Sequence, residues 1–232
     1  MKLKAEKAGR MYFRGGRNTN FFYAVRSLDF ELEEGKVTVI TGRSGSGKTT
    51  MINMLCGLLT PSEGHILLDE KDIYELSDRE RSILRNRSFG IIPQGQTGLQ
   101  CLTVAENVLL PVSMYGRPGG KEEKAKALLE KLGIDELWDV YSNELSGGEL
   151  RRMSVARALI NEPEIIIADE PTGDLDADTT LLVMELLKKR AENGAAVLIV
   201  THDKDVMPYA DIVYSMENGA LNNVQCAMCN VQ

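Results

Sequence analysis

A buried strand that runs through a glycine-rich loop straight into an apolar helix admits few folds. Residues 36–41 (Lys-Val-Thr-Val-Ile-Thr) are β-branched and read as the strand, and residues 50–56 (Thr-Met-Ile-Asn-Met-Leu-Cys) read as the helix. Between them lies Gly42-Arg43-Ser44-Gly45-Ser46-Gly47-Lys48-Thr49, which fits G-x-x-x-x-G-K-S/T at every fixed position. The glycines let the backbone fold tightly and turn successive N–H groups inward, forming an anion-binding nest. The helix N-terminus adds unpaired N–H groups and the positive end of its dipole. Lys48 is then expected to reach the β- and γ-phosphates, and Thr49 to ligate Mg²⁺. A plain Gly/Ser turn before a helix would not need the lysine or the flanking elements. The stretch predicts a nucleoside triphosphate site, and Gly42, Ser44, Gly45, Ser46, Gly47, Lys48, Thr49 and Thr50 are its candidate residues.

The rest of the composition narrows the partners. With 27 basic and 34 acidic residues the formal net charge is −7, which argues against nucleic acid held by a basic surface. No run approaches the ~18 apolar residues of a membrane span, and the first residues lack a signal-peptide core. The four cysteines, Cys56, Cys101, Cys226 and Cys229, are scattered and read as reduced thiols. Cys226-Ala-Met-Cys229 has C-x-x-C spacing but no second pair to complete a metal site.

Residues 1–35 read as strands and turns. Residues 27–33 alternate polar and apolar, and the cluster at 15–20 marks a hairpin connection. Tyr12 and Phe13 precede that turn, where an aromatic ring either stacks on a purine or fills the core. Residues 65–69 and 88–92 give further strands. Gln94 follows the second, beyond a carboxyl end, where chemistry collects in open parallel sheets; a plain loop glutamine is the alternative. Capping boxes at Ser77/Glu80 and Thr103/Glu106 open helices. Pro111 and the cluster at 116–120 are expected to break the chain. Residues 121–132 form an amphipathic helix with Ala125, Leu128, Leu129 and Leu132 on one face. No strand signal interrupts residues 95–160, which read as an inserted helical subdomain. Strands return at 164–168 and 195–200 around a helix at 176–192, and that alternation implies a parallel crossover.

Three more constellations bear on chemistry. Ile165-Ile166-Ile167-Ala168-Asp169-Glu170 places two carboxylates at the end of an apolar strand, where they are costly unless a cation or a reaction needs them. Because adjacent strand residues face opposite ways, the pair is expected to divide its work. Asp169 suits Mg²⁺, and Glu170 suits a general base for water. Thr201-His202 ends the last strand, so His202 is either a group for the γ-phosphate and water or a satisfied core histidine. Leu145-Ser146-Gly147-Gly148-Glu149 opens a helix, and Ser146 with Glu149 makes a third capping box. That box leaves Gly147 and Gly148 unexplained, since glycine weakens a first turn. Glycines there suit the close approach of another phosphate.

Taken together, these residues resemble a nucleotide-binding domain of the ATP-binding cassette (ABC) family along essentially the whole chain. Gly42 to Thr49 match its Walker A motif, Gln94 its Q-loop, and Leu145 to Glu149 its signature, with Glu149 where many members carry glutamine. Ile165 to Glu170 match Walker B, Gly173-Asp174-Leu175-Asp176 the D-loop, and His202 the switch histidine. The resemblance implies an α/β, P-loop NTPase-type core with a mostly parallel sheet, an N-terminal antiparallel β subdomain and an inserted helical subdomain. It implies one domain over 1–232: a core at about 1–94 and 161–225, and a helical signature subdomain at about 95–160. Tyr12 is the preferred adenine-stacking ring, and the absence of N-K-x-D weighs against a GTPase.

The resemblance further implies an ATPase that uses ATP and Mg²⁺, with Thr49, Gln94 and Asp169 at the metal and Glu170, His202 and Gln94 in catalysis. ATP on one protomer would be covered by Ser146, Gly147, Gly148 and Glu149 of another, with Asp174 and Asp176 nearby, in an ATP-dependent homo- or heterodimer. That dimer would drive separate integral-membrane permease subunits docked near residues 94–110, from the cytoplasmic face of the cell membrane. Residues 102–108 and 168–176 are similar to the lipoprotein-release and macrolide-export branch, which favours export or extraction of a lipophilic or peptide substrate. The alternative is a cell-division-type module that passes a mechanical signal without transport.

Overall fold

The computed structural model describes residues 1–14, 20–95, 98–116, 121–173 and 175–224. Asp174, Cys226, Cys229 and most of the turn at 15–20 lie outside them. Two sheets organise the chain. One is antiparallel, in the order β2-β1-β4-β5, from β1 (Leu3–Arg14), β2 (Asn20–Leu32), β4 (Glu63–Leu68) and the short β5 (Lys71–Asp72). The other has the order β10-β9-β3-β8-β7-β6. It comprises β3 (Val37–Thr41), β6 (Phe89–Ile92), β7 (Ile165–Asp169), β8 (Ala196–Val200), β9 (Ile212–Glu217) and β10 (Ala220–Asn223). All its neighbours pair parallel except β9 with β10.

The central strands β7 and β8 are buried at every position, as expected for parallel strands covered on both faces. Their two-residue period sorts the core into two compartments. Ile166, Ala168, Val197 and Ile199 join one cluster, with the helices α3 (Val104–Ser113), α4 (Glu122–Lys131), α5 (Gly147–Leu159) and α6 (Ala177–Glu192). Ile165, Ile167, Leu198 and Val200 join the other, with α1 (Lys48–Leu55) and the antiparallel sheet. Cys56 lies in this second cluster, wholly buried, and burial pushes its thiol up to about 12.

All three predicted capping boxes form, at Ser77 before α2 (Asp78–Ser88), at Thr103 before α3 and at Ser146 before α5. Among the described residues from 98 to 160 the secondary structure is helical apart from one isolated bridge, Thr103 with Tyr141. Ala125, Leu128, Leu129 and Leu132 are buried as expected.

One expectation needs correction, and one hairpin is added to those the sequence predicts. Pro111 does not break the chain but sits inside α3. It falls in the last turn of α3, where it costs only its own hydrogen bond back to the preceding turn, and its carbonyl accepts from the Asn86 amide at 3.0 Å. The hairpin β9–β10 turns at Asn218-Gly219, beyond the last strand that the sequence predicts. Its register, Ala220 with Glu217, makes Asn218-Gly219 a two-residue turn with φ +48° and +79°, which those two residue types favour.

One contact fixes how α5 sits on the sheet. A Cβ at Gly90 of β6 would lie 2.6 Å from the Ala158 carbonyl oxygen of α5 and 2.7 Å from Cγ of Pro163. Strand and helix therefore meet backbone to backbone. Just beyond β6, Arg151 of α5 donates from Nη1 to the Pro93 carbonyl at 2.8 Å.

Candidate nucleotide-binding and catalytic site

The carboxyl ends of β3, β6, β7 and β8 point the same way, and their following residues line one cleft of about 1170 Å³. Gly42, Ser44, Gly45, Gly47, Lys48, Thr49, Thr50, Gln94, Asp169, Glu170, His202 and Tyr12 all border it. Ser46 does not: it is buried beneath the loop, and its hydroxyl has no hydrogen-bond partner among the described residues.

The phosphate loop is held open by its own lysine. Lys48 Nζ donates to the carbonyls of Gly42 at 2.7 Å and Arg43 at 3.0 Å, which keeps the ammonium inside the curl of the loop. Gly47 is the N-cap of α1, with φ +108°, a conformation glycine adopts without penalty. The first turn of α1 thus opens on the cleft beside Lys48.

Asp169 ends β7 and is 95% buried; its Oδ2 accepts the Thr49 hydroxyl at 3.0 Å. Desolvation is the main force on it and raises its pKa, while the Thr49 hydrogen bond works the other way. A buried carboxylate with a hydroxyl at its side, and Gln94 in the same cleft, is an all-oxygen set of the kind Mg²⁺ takes. The opposite charge of a bound cation would offset the desolvation.

Glu170 departs from strand geometry. Its φ is +51°, an uncommon left-handed value for a non-glycine residue, and its N–H donates to the Val200 carbonyl at 2.8 Å. The turn brings its carboxylate into the cleft beside Asp169, so the two acids share a pocket rather than opposite faces. Both Glu170 oxygens are engaged. The Thr201 hydroxyl donates to Oε2 at 2.8 Å, and His202 Nδ1 lies 2.7 Å from Oε1. His202 is 81% exposed at its side chain, which removes the core-histidine alternative. Its hydrogen bond to Glu170 is the main cause of its raised pKa.

Tyr12 borders the cleft from the end of β1, stacked on Phe22 with ring centroids 5.8 Å apart and the Arg10 guanidinium over its ring. Phe13 pairs with Phe21 instead. The site also contains groups that sequence reading missed. Thr201 is fully buried and holds Glu170, and Phe22, Arg26, Asn218 and Gly219 border the cleft. The Asn-Gly pair after a β-branched run was the signal available for the last two.

Ser146, Gly147, Gly148, Glu149 and Asp176 lie outside the cleft. The Ser146 hydroxyl accepts the Glu149 N–H at 3.4 Å, and Glu149 Oε2 accepts the Ser146 N–H at 2.7 Å. Asp176 caps α6, accepting the Thr179 N–H at 2.8 Å.

Comparison with known proteins places this geometry in context. The family model for ABC transporters matches residues 25–173. A macrolide export ATP-binding/permease protein, MacB, of Aggregatibacter actinomycetemcomitans is 41% identical over 207 residues, which is 89% of this chain and 32% of that protein. The chain thus spans about a third of the length of that relative. The lipoprotein-releasing system ATP-binding protein LolD of Saccharophagus degradans is 38% identical over 200 residues, covering 85% of this chain and 88% of that one. Among solved structures, a dimeric ABC transporter cassette superposes with a TM-score of 0.87 at 31% identity, covering 96% of this chain and 99% of that one. A dimeric post-hydrolysis state of such a cassette, bound to ADP and Pi, gives 0.85 at 32% identity and 96% and 99% coverage.

Proposed function

This chain belongs to the ABC transporter family as an ATPase cassette, and on that premise we propose how its residues share the reaction. The observation that carries the proposal is the convergence, in one cleft, of the phosphate loop, the buried Asp169–Thr49 pair and the Glu170–His202 pair. Loop N–H groups from Gly45 to Thr49, with Lys48, bind the phosphates of ATP. Tyr12 offers a ring face to the adenine. Thr49, Asp169 and Gln94 would hold Mg²⁺, which when bound neutralises phosphate charge. Glu170 accepts the proton of the attacking water at a carboxylate oxygen, and Thr201 and His202 keep that carboxylate aimed. His202 then stands ready to follow charge developing at the γ-phosphate, because it is exposed and its one side-chain hydrogen bond among the described residues is to Glu170.

Ser146, Gly147, Gly148 and Glu149, with Asp174 and Asp176, serve the ATP of a second cassette in a head-to-tail dimer. The position of Ser146, Gly147, Gly148, Glu149 and Asp176 outside the cleft supports this reading, as does the likeness to a dimeric cassette. ATP-driven closure of the dimer powers a membrane permease, near which the chain lies peripherally on the cytoplasmic side. The names of the relatives support export or release of a lipophilic or peptide substrate as the output. No described helix is long and apolar enough to cross a membrane.

Light scattering on Glu170→Gln protein, with and without Mg-ATP, tests the dimer. A doubling of mass only with Mg-ATP is the expected result. A mass unchanged by nucleotide, in protein that binds ATP, would remove the shared-site reading for the isolated cassette.

A further inference from the structure

The phosphate loop is fastened from behind by a part of the chain that lies beyond the residues matched to the family model. The Gly219 N–H donates to the Ser46 carbonyl at 3.0 Å. Gly219 is fixed in turn, because its carbonyl accepts the Arg26 N–H at 2.7 Å and Asn218's carbonyl accepts Arg26 Nε at 3.1 Å. Three backbones meet here with no room for side chains. A Cβ on Gly47 would lie 2.1 Å from the Ala24 carbonyl oxygen, and one on Gly219 2.9 Å from the same atom. β2, the phosphate loop and the β9–β10 turn therefore pack as one unit.

The consequence follows from peptide geometry. The described residues contain no cis peptides, and in a trans peptide the C=O and the next N–H point in opposite directions. Holding the Ser46 carbonyl against Gly219 thus turns the Gly47 N–H the other way, towards the cleft that Gly47 borders. That N–H donates to no other described residue. We infer that the Asn218-Gly219 turn is a positioning element that aims the Gly47 N–H at the phosphate of bound nucleotide. The inference rests on the nucleotide reading of the cleft, and it assigns a role in phosphate binding to the C-terminal hairpin.

The test compares Gly219→Ala with Gly194→Ala. Both carry a side chain at positive φ, +79° and +96°, but Gly194 has nothing within 4 Å of its would-be Cβ. Two quantities are read: the Kd for Mg-ATP, and hydrogen exchange of residues 42–49 in nucleotide-free protein. Gly219→Ala is expected to weaken Mg-ATP about tenfold, the scale of one hydrogen bond to a charged group. It should also speed exchange in 42–49 and raise KM while kcat at saturating ATP stays within about twofold. Gly194→Ala should change neither reading, although it strains the backbone similarly. If Gly219→Ala fails to fold, Arg26→Ala loosens the same turn and should speed exchange in 42–49 by a smaller factor. Parental Kd and exchange in Gly219→Ala would overturn the inference, as would a weaker Kd with unchanged exchange. Parental protein that binds no Mg-ATP would instead sink the nucleotide reading, and the exchange comparison would still decide whether the turn fastens the loop.

Discussion

The phosphate loop and the N-terminus of α5 are both glycine-bearing helix starts, yet the chain surrounds them differently. Around the loop every neighbour converges: Asp169 on Thr49, Lys48 on its own loop carbonyls, Gly219 on Ser46. Around Ser146 the hydrogen bonds are local, made within the capping box, and the segment lies outside the cleft. One helix start is built to be complete within the chain. The other is stabilised by itself and leaves its glycines for something else to meet. That contrast fits the proposed sharing of ATP between two copies of the cassette.

The largest effect that could break this contrast is at Glu170. Glu170→Gln should lower ATP turnover by about 10²- to 10⁴-fold, the usual worth of a general base, while Mg-ATP affinity stays within about twofold. A variant that turns over like the parent would return Glu170 to a structural role. Next is Ser146→Arg, which puts a long cation where a partner's nucleotide would sit. It should bind Mg-ATP normally and abolish nucleotide-driven dimerisation, and steady-state turnover should fall at least about tenfold. Weakened ATP binding by the monomer would mean that α5 contributes to its own chain's cleft after all.

A finer comparison uses two identical boxes. Ser146→Ala and Ser77→Ala each remove one N-cap, and each should cost about 1 kcal/mol, lowering Tm by about 2–4 °C in calorimetry. Only Ser146→Ala should also lose ATPase activity. Equal activities in the two variants would reduce the signature serine to a cap.

The smallest effect is in pH. Bonded to Glu170, His202 has its folded pKa raised above the ordinary 6.5. Its protonated form therefore adds stability that is fully present below about pH 6.5 and fades as pH rises through the higher folded value. The Tm gap between parent and His202→Gln should shrink as pH rises above about 6.5, and only slightly, because the ring is exposed. A gap that widens with pH would contradict the Glu170–His202 pairing.

Much of this was legible in the sequence because the chemistry is local. A phosphate loop needs its glycines, lysine and threonine in consecutive positions, and the three capping boxes need only four residues each. The strands β3, β7 and β8 announced themselves by unbroken β-branched and aliphatic runs. What stayed hidden depended on distant parts of the chain. Nothing near Pro111 says that the Asn86 amide will donate to its carbonyl, and nothing near Glu170 says that the chain will turn left-handed to swing it beside Asp169. Thr201 reads as an ordinary strand-end threonine until Glu170 arrives next to it. The β9–β10 hairpin was readable from its Asn-Gly turn, but its bearing on Ser46 was not, since 173 residues separate Gly219 from that carbonyl.

The backbone contact at Gly90 has a mechanical meaning. A joint lined with long side chains has play, because rotamers can yield before the main chain moves. Here the Ala158 carbonyl bears directly on the strand, and the Arg151 strut braces the segment that carries Gln94. A push on α5 is therefore passed on with little slack, and the lever that carries the signature residues shares a bearing with the strand that leads to Gln94. Even a methyl group at position 90 would force the bearing apart, shifting the resting angle of the lever without touching any residue of the cleft.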